Sequence, residues 1–147
     1  MVERPEAIAE AVLPLDGPYP AQQLAAAAEV MAELARRLTH ATLAHNVGQS
    51  LPKPQALDTL VRELDQMPGS LAQTLRQIAG HLRRGADDPA LSLDEDAGEH
   101  LTPAAVALLA AEHLGTAAGH VEALGRSLAQ ARASTARLRV RRTGSTR

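Results

Sequence analysis

The histidines His40, His45, His81, His100, His113 and His120 are the side chains best suited to hold a metal ion or move a proton near neutral pH. Their spacing argues against a metal ion held from one helix, and nothing selects a site assembled across helices with His40 or His81. His40 and His45 stand five apart, ~140° round a helix at 100° per residue, so they cannot share one ion. His113 and His120 share a face but lie ~10.5 Å apart along the axis. Chelation from one helix needs i, i+3 or i, i+4 spacing, and Glu112-His113 has no second histidine at the required place. The acid-rich stretch RGADDPALSLDEDAGEHL invites a calcium reading. Its Asp94-Glu95-Asp96 does not fit D-x-[DN]-x-[DN]-G with a terminal glutamate, and a solvated loop is the expectation. Neither a phosphate-cradling glycine loop nor a nucleophile elbow occurs, and no stretch reads as the strand such turns require. The sequence therefore predicts no catalytic residue, no metal and no cofactor.

Arginine offers a different chemistry. The C-terminal run RASTARLRVRRTGSTR carries Arg132, Arg137, Arg139, Arg141, Arg142 and Arg147 with no acid among them. Such a run can bind phosphate by counterion release, or an acidic protein surface. No helix-turn-helix signature and no aromatic stacking platform accompanies it. Nucleic acid is accordingly the secondary expectation for Arg132, Arg137, Arg139, Arg141 and Arg142. Charge is segregated along the chain: residues 1–34 sum to −5, 35–86 to +4, 87–125 to −8 and 126–147 to +7, for a net −2.

Composition limits what can hold any site in place. The 147 residues contain no Cys, Phe or Trp and one Tyr, which excludes disulfides, thiolate metal sites and cysteine nucleophiles. A core of Leu, Ala, Val, Ile and Met fills a narrow seam between helices more readily than a compact sandwich. No apolar run approaches the ~20 residues that span a bilayer, and MVERPEAIAE lacks a basic region followed by an apolar core. The expectation is a cytoplasmic protein with no membrane contact.

The elements are helical. From Ala21 to His45 the positions Leu24, Ala27, Met31, Leu34, Leu38 and Ala41 follow a 3-4 spacing, with Glu33 set to pair with Arg37. Pro20 suits the first helical position, and Asn46-Val47-Gly48 before Pro52 and Pro54 reads as a helix end and turn. A second run covers about 54–67 with Asp58 placed to pair with Arg62, and a third covers 70–84 from a Ser70/Gln73 capping box. Together they read as one helix bent or broken at Pro68-Gly69, able to lie along the 21–45 helix. Thr102-Pro103 opens a last helix to about Leu138, with a heptad of Leu114, Ala117, Val121, Leu124, Leu128, Ala131, Thr135 and Leu138. A short N-terminal helix in PEAIAEAVLP completes the set.

The segments LARRLTHATL, LPKPQALDTLVREL and MPGSLAQTLRQIAGHL, over roughly residues 34–84, resemble a group of small all-helical actinobacterial proteins. In these an LNHAT-like helix end precedes an LP-x-P turn, a helix and an LPQLL-type helix, and a long Ala-rich helix follows. The resemblance implies a helical fold and carries no activity; some members sit near mobile-element genes.

The expected architecture is an elongated all-α bundle of three to four helices, a single domain over 1–138. Residues 1–20 are partly extended, 85–101 form an acidic loop, and 139–147 form a disordered basic tail. The expected function is helix–helix association, coiled-coil in character, with itself as a homo-oligomer or with a protein partner. The seam would be Leu114, Val121, Leu124, Leu128 and Leu138, because a last helix of ~54 Å should outrun its intramolecular cover.

Overall fold

The structure is a computed structural model that describes residues 4–94 and 101–139. Every regular element among them is helical: α1 Pro5–Val12, α2 Ala21–Ala41, α3 Val47–Ser50, α4 Pro54–Asp65, α5 Met67–Arg84 and α6 Pro103–Thr135. Packing groups the chain into two compact units, Met1–Pro52 and Lys53–Arg147.

In the first unit, Pro5 opens α1, where its missing N–H costs nothing. Gly17 takes φ 70°, a left-handed turn conformation open to glycine, and the Tyr19 hydroxyl donates to the Leu15 carbonyl. The Gln23 side-chain amide donates to the Val12 carbonyl at 3.2 Å, which ties the first turn of α2 to the end of α1. Pro20 sits one position earlier than expected, as the extended residue before α2.

Helix α2 stops at Ala41, short of the expected His45. At this end polar side chains take up the last carbonyls. The Thr42 hydroxyl donates to the Leu38 carbonyl at 2.9 Å, and the Asn46 amide donates to the His40 carbonyl at 3.1 Å. No left-handed cap is used, because Asn46 has φ −104° and Gly48 lies inside the single turn α3. The expected Glu33–Arg37 pair is present at 2.6 Å, and Arg36 joins it at 2.8 Å.

In the second unit, α4 and α5 meet at Gln66. The break falls upstream of the expected Pro68-Gly69. Continued through this point, the Pro68 ring would strike the Leu64 carbonyl, whereas in a new first turn its missing N–H is harmless. Ser70 therefore lies inside α5 and does not cap it; its carbonyl accepts from the Thr74 hydroxyl at 3.0 Å. Helix α6 begins as expected, with the Thr102 hydroxyl accepting from the Ala105 amide at 3.1 Å and Pro103 following.

The 12 residues of α4 and 18 of α5 run antiparallel along the 33-residue α6. Cross-links mark the path. Thr135 donates to Asp58 at 2.9 Å, Arg132 pairs with Asp65 at 3.2 Å, Glu122 with Arg76, and Arg83 donates to the Ala111 carbonyl at 3.4 Å. Asp58 is thus used by Thr135 and not by Arg62, which lies 3.4 Å from Glu63. The centre of this contact is alanine. Ala72, Ala79 and Ala86 at seven-residue spacing face Ala111, Ala118 and Gly125 at the same spacing, with Pro68 against Gly125. Small residues on both sides let two helix backbones approach toward the short end of the ~8–10 Å interaxial range.

Candidate interaction surfaces

The packing of α6 divides its expected association seam between covered and exposed residues. Leu114, Val121, Leu128 and Thr135 are half-buried. Their partners on the stripe are Ala111, Ala118, Gly125 and Arg132, and Ala111 and Ala118 are only 0% and 1% exposed. The expected stripe instead paired them with Ala117, Leu124, Ala131 and Leu138. Leu124 is 51% exposed and Leu138 48% exposed, so both stand outside the seam. The two stripes share every other position and diverge by one residue, about 100° of rotation, at the rest. The fully buried residues of α5 are Pro68, Ala72 and Ala79, and half-buried Leu71, Leu75 and Leu82 flank them, so small residues meet at the centre of the contact and leucines lie at its margins. The length argument changes too: α4 follows α6 as far as Thr135, so α6 does not outrun its cover.

The arginines divide. Arg132 is held by Asp65, whose side chain is mostly buried, and Arg139 turns onto the Ala136 and Leu138 carbonyls at 2.7 and 2.8 Å. Arg137 is exposed. Arg141, Arg142 and Arg147 lie outside the described residues, as do Glu95, Asp96, Glu99 and His100, so the basic tail and part of the acidic loop are not placed. His113 and His120 are exposed on α6. The turn after α2 brings the His40 and His45 rings edge to face with centroids 6.4 Å apart. Among the described residues no group of three His, Asp or Glu side chains is arranged to hold a metal ion.

The feature that sequence reasoning passed over lies on α2. Its heptad reads as ordinary core, yet Leu24, Met31, Leu34 and Leu38 are each between 42 and 53% exposed, and no residue of α2 is buried. The length of α1 explains this. Its 8 residues reach ~12 Å, against ~31 Å for the 21 residues of α2. Between the two helices runs an open apolar groove of about 450 Å³, with Ile8, Val12 and Leu13 on one wall and Val30, Met31 and Leu34 on the other. Beyond Leu34 the stripe leaves the groove; Leu38 is not among its lining residues. A comparison of the two helix lengths was the available signal.

The charges of α2 keep clear of this stripe. At 100° per residue Glu29, Glu33 and Arg36 fall on the opposite side of the helix, and Arg37 lies on a flank. The Arg37 and Arg36 guanidiniums hold the Glu33 carboxyl below the usual carboxylate range through their hydrogen bonds. The stripe itself is leucine, methionine and alanine, and at Val30 and Leu34 its edge borders a depression lined also by Glu29, Glu33 and Arg37.

No family model matches the chain, and no curated protein or solved structure is similar to it.

Proposed function

We propose that this chain is a non-catalytic helical interaction protein that works by helix–helix association, with itself or with a protein partner. The exposed heptad of α2 is the observation that supports it most. A contiguous apolar stripe left half uncovered, free of charge along its centre, is the usual mark of an association site. The closed α5–α6 seam supports the same reading from the other direction, since it shows where the chain's small residues are already matched. No helix among the described residues is long and apolar enough to cross a membrane. A cytoplasmic setting fits the absence of cysteine.

Sedimentation or light scattering at tens of micromolar tests self-association, and capture of a purified partner tests the alternative. The basic tail supplies the contrasting outcome. Deleting residues 140–147 removes Arg141, Arg142 and Arg147 and should leave melting and assembly nearly unchanged. Submicromolar duplex binding near physiological salt, lost on that deletion with a salt slope flattened by about three, would replace this reading with a nucleic-acid accessory role.

A further inference from the structure

We propose that His40 and His45 form an open two-histidine site for a borderline divalent transition metal ion, Cu(II) or Zn(II), between the end of α2 and the turn that follows it. The site is independent of the association surface. Five-residue spacing sets two side chains ~140° apart round a continuous helix, too far round to share one ion. The helix is not continuous here. It stops at Ala41, and the turn carries His45 back until its ring centre lies 6.4 Å from that of His40. Two hydrogen bonds hold the turn in that place. The Asn46 side-chain amide donates to the His40 carbonyl at 3.1 Å, and the Leu43 backbone amide donates to the same oxygen at 3.2 Å.

The separation of the rings fits one ion. A metal–nitrogen bond of ~2.1 Å, with ~1.1 Å from that nitrogen to the ring centre, places each centre ~3.2 Å from the metal. Two such rings lie ~6.4 Å apart when opposed across the ion, and ~5.2 Å apart at the tetrahedral angle. The pair therefore stands at the outer limit of shared coordination and closes by ~1 Å to reach tetrahedral geometry. Both side chains are exposed and free to turn. A change of ~25° about one χ1 moves a ring centre that far and stays within the breadth of a staggered well.

The donor set selects the ion. The chain has no thiolate to offer, and no third histidine or carboxylate among the described residues completes the site. Imidazole suits copper, nickel and zinc, whereas calcium and magnesium need oxygen ligands. The C-terminal end of a helix also favours a cation. Arg36 and Arg37, one turn back, oppose it in part, because the Glu33 carboxylate that binds both offsets only one of the two guanidiniums. Water fills the remaining positions, so affinity is modest: roughly micromolar for Cu(II) and about tenfold weaker for Zn(II).

Full-length protein is titrated with each ion by calorimetry, at slightly alkaline pH in a buffer that does not chelate. About one equivalent should bind. His40→Ala and His45→Ala should each weaken binding at least ~10-fold, and the two together little further, because either change alone removes the chelate. Combining His113→Ala with His120→Ala should leave the affinity unchanged. Hydrogen exchange supplies a second readout. At ten times the Zn(II) dissociation constant, the Leu43, Asn46 and Val47 amides of the turn should exchange ~10-fold more slowly, since the ion opposes opening. His45→Ala should abolish that protection. Absence of saturation by either ion below ~1 mM, or binding that survives both single variants, would overturn the site. So would an equal loss on changing His113 and His120, which is the mark of scattered surface imidazoles, or a stoichiometry of one ion to two chains.

Discussion

Enlarging an alanine of the α5–α6 seam should destabilise the second unit more than deleting a leucine side chain from the same helix. Ala118 is 1% exposed and faces the alanine stripe of α5, while Leu124 is half exposed outside it. Ala118→Leu adds three carbons where the helices approach closely, and leucine and alanine are both good helix formers, so packing sets the result. Overpacking of this kind costs ~1–3 kcal/mol. Leu124→Ala loses about half of the ~1.5–3 kcal/mol that full leucine burial contributes, and opens no closed cavity because the site is already wet. Its expected cost is ~1 kcal/mol or less. With a urea dependence of ~2 kcal/mol per molar, Ala118→Leu should lower the midpoint by about 1 M and Leu124→Ala by at most ~0.5 M. Hydrogen exchange of α5 and α6 amides through a urea series, at protein concentrations low enough to suppress association, reads this unit alone. A larger shift from Leu124→Ala would refute the reasoning. It would mean that the buried stripe of α6 runs through positions 117, 124, 131 and 138 after all.

Two glycines of α6 offer a second pair. Gly119 has open space where a Cβ would go, so Gly119→Ala should raise stability by ~0.5–1 kcal/mol in thermal melts through helix propensity. At Gly125 the added Cβ would sit 3.2 Å from the Pro68 Cβ, a ring atom that cannot rotate away, so Gly125→Ala should gain less or lose outright. The acidity of Glu33 gives a third. Its folded-state pKa is lowered by Arg37 and Arg36, so the pairing stabilises α2 above the ordinary carboxylate range and is lost as pH falls through the lowered value. A carbon-detected titration should place the Glu33 midpoint below the ordinary glutamate value, and Arg37→Gln should move it upward. An unshifted midpoint would count against the pairing in solution.

Helix beginnings were legible because single residues create them. Pro5, Pro54 and Thr102-Pro103 each open a helix where the sequence places it, since the fixed proline φ and the threonine cap act within one turn. Helix ends were less so. Past Ala41 the Asn46 amide reaches back six residues to the His40 carbonyl, a contact between turn and helix that spacing within the helix does not announce, and Gly48 takes no left-handed cap. The joint between α4 and α5 was anticipated within two residues, because proline acts on the carbonyl four positions before it and not at its own place.

The register of α6 was not legible from α6 alone, and the reason bears on the candidate surface. Its sequence carries two overlapping heptads that share Leu114, Val121, Leu128 and Thr135. One adds leucines, at 124 and 138; the other adds Ala111, Ala118 and Gly125. Hydropathy favours the first, but burial is settled by the partner, and α5 presents alanine and proline at the points of closest approach. A helix pair closed by small residues at its centre keeps Leu114 and Leu128 at its margins and leaves Leu124 outside. The two units differ in their centres. In the second, alanines of α5 and α6 form a buried core. In the first, α2 carries large residues along its whole stripe, while α1 is too short to face more than part of it. Large side chains with no large or small counterpart in their own unit are what an interface between molecules needs. This unevenness, more than any single residue type, is what supports α2 as the surface of the proposed association.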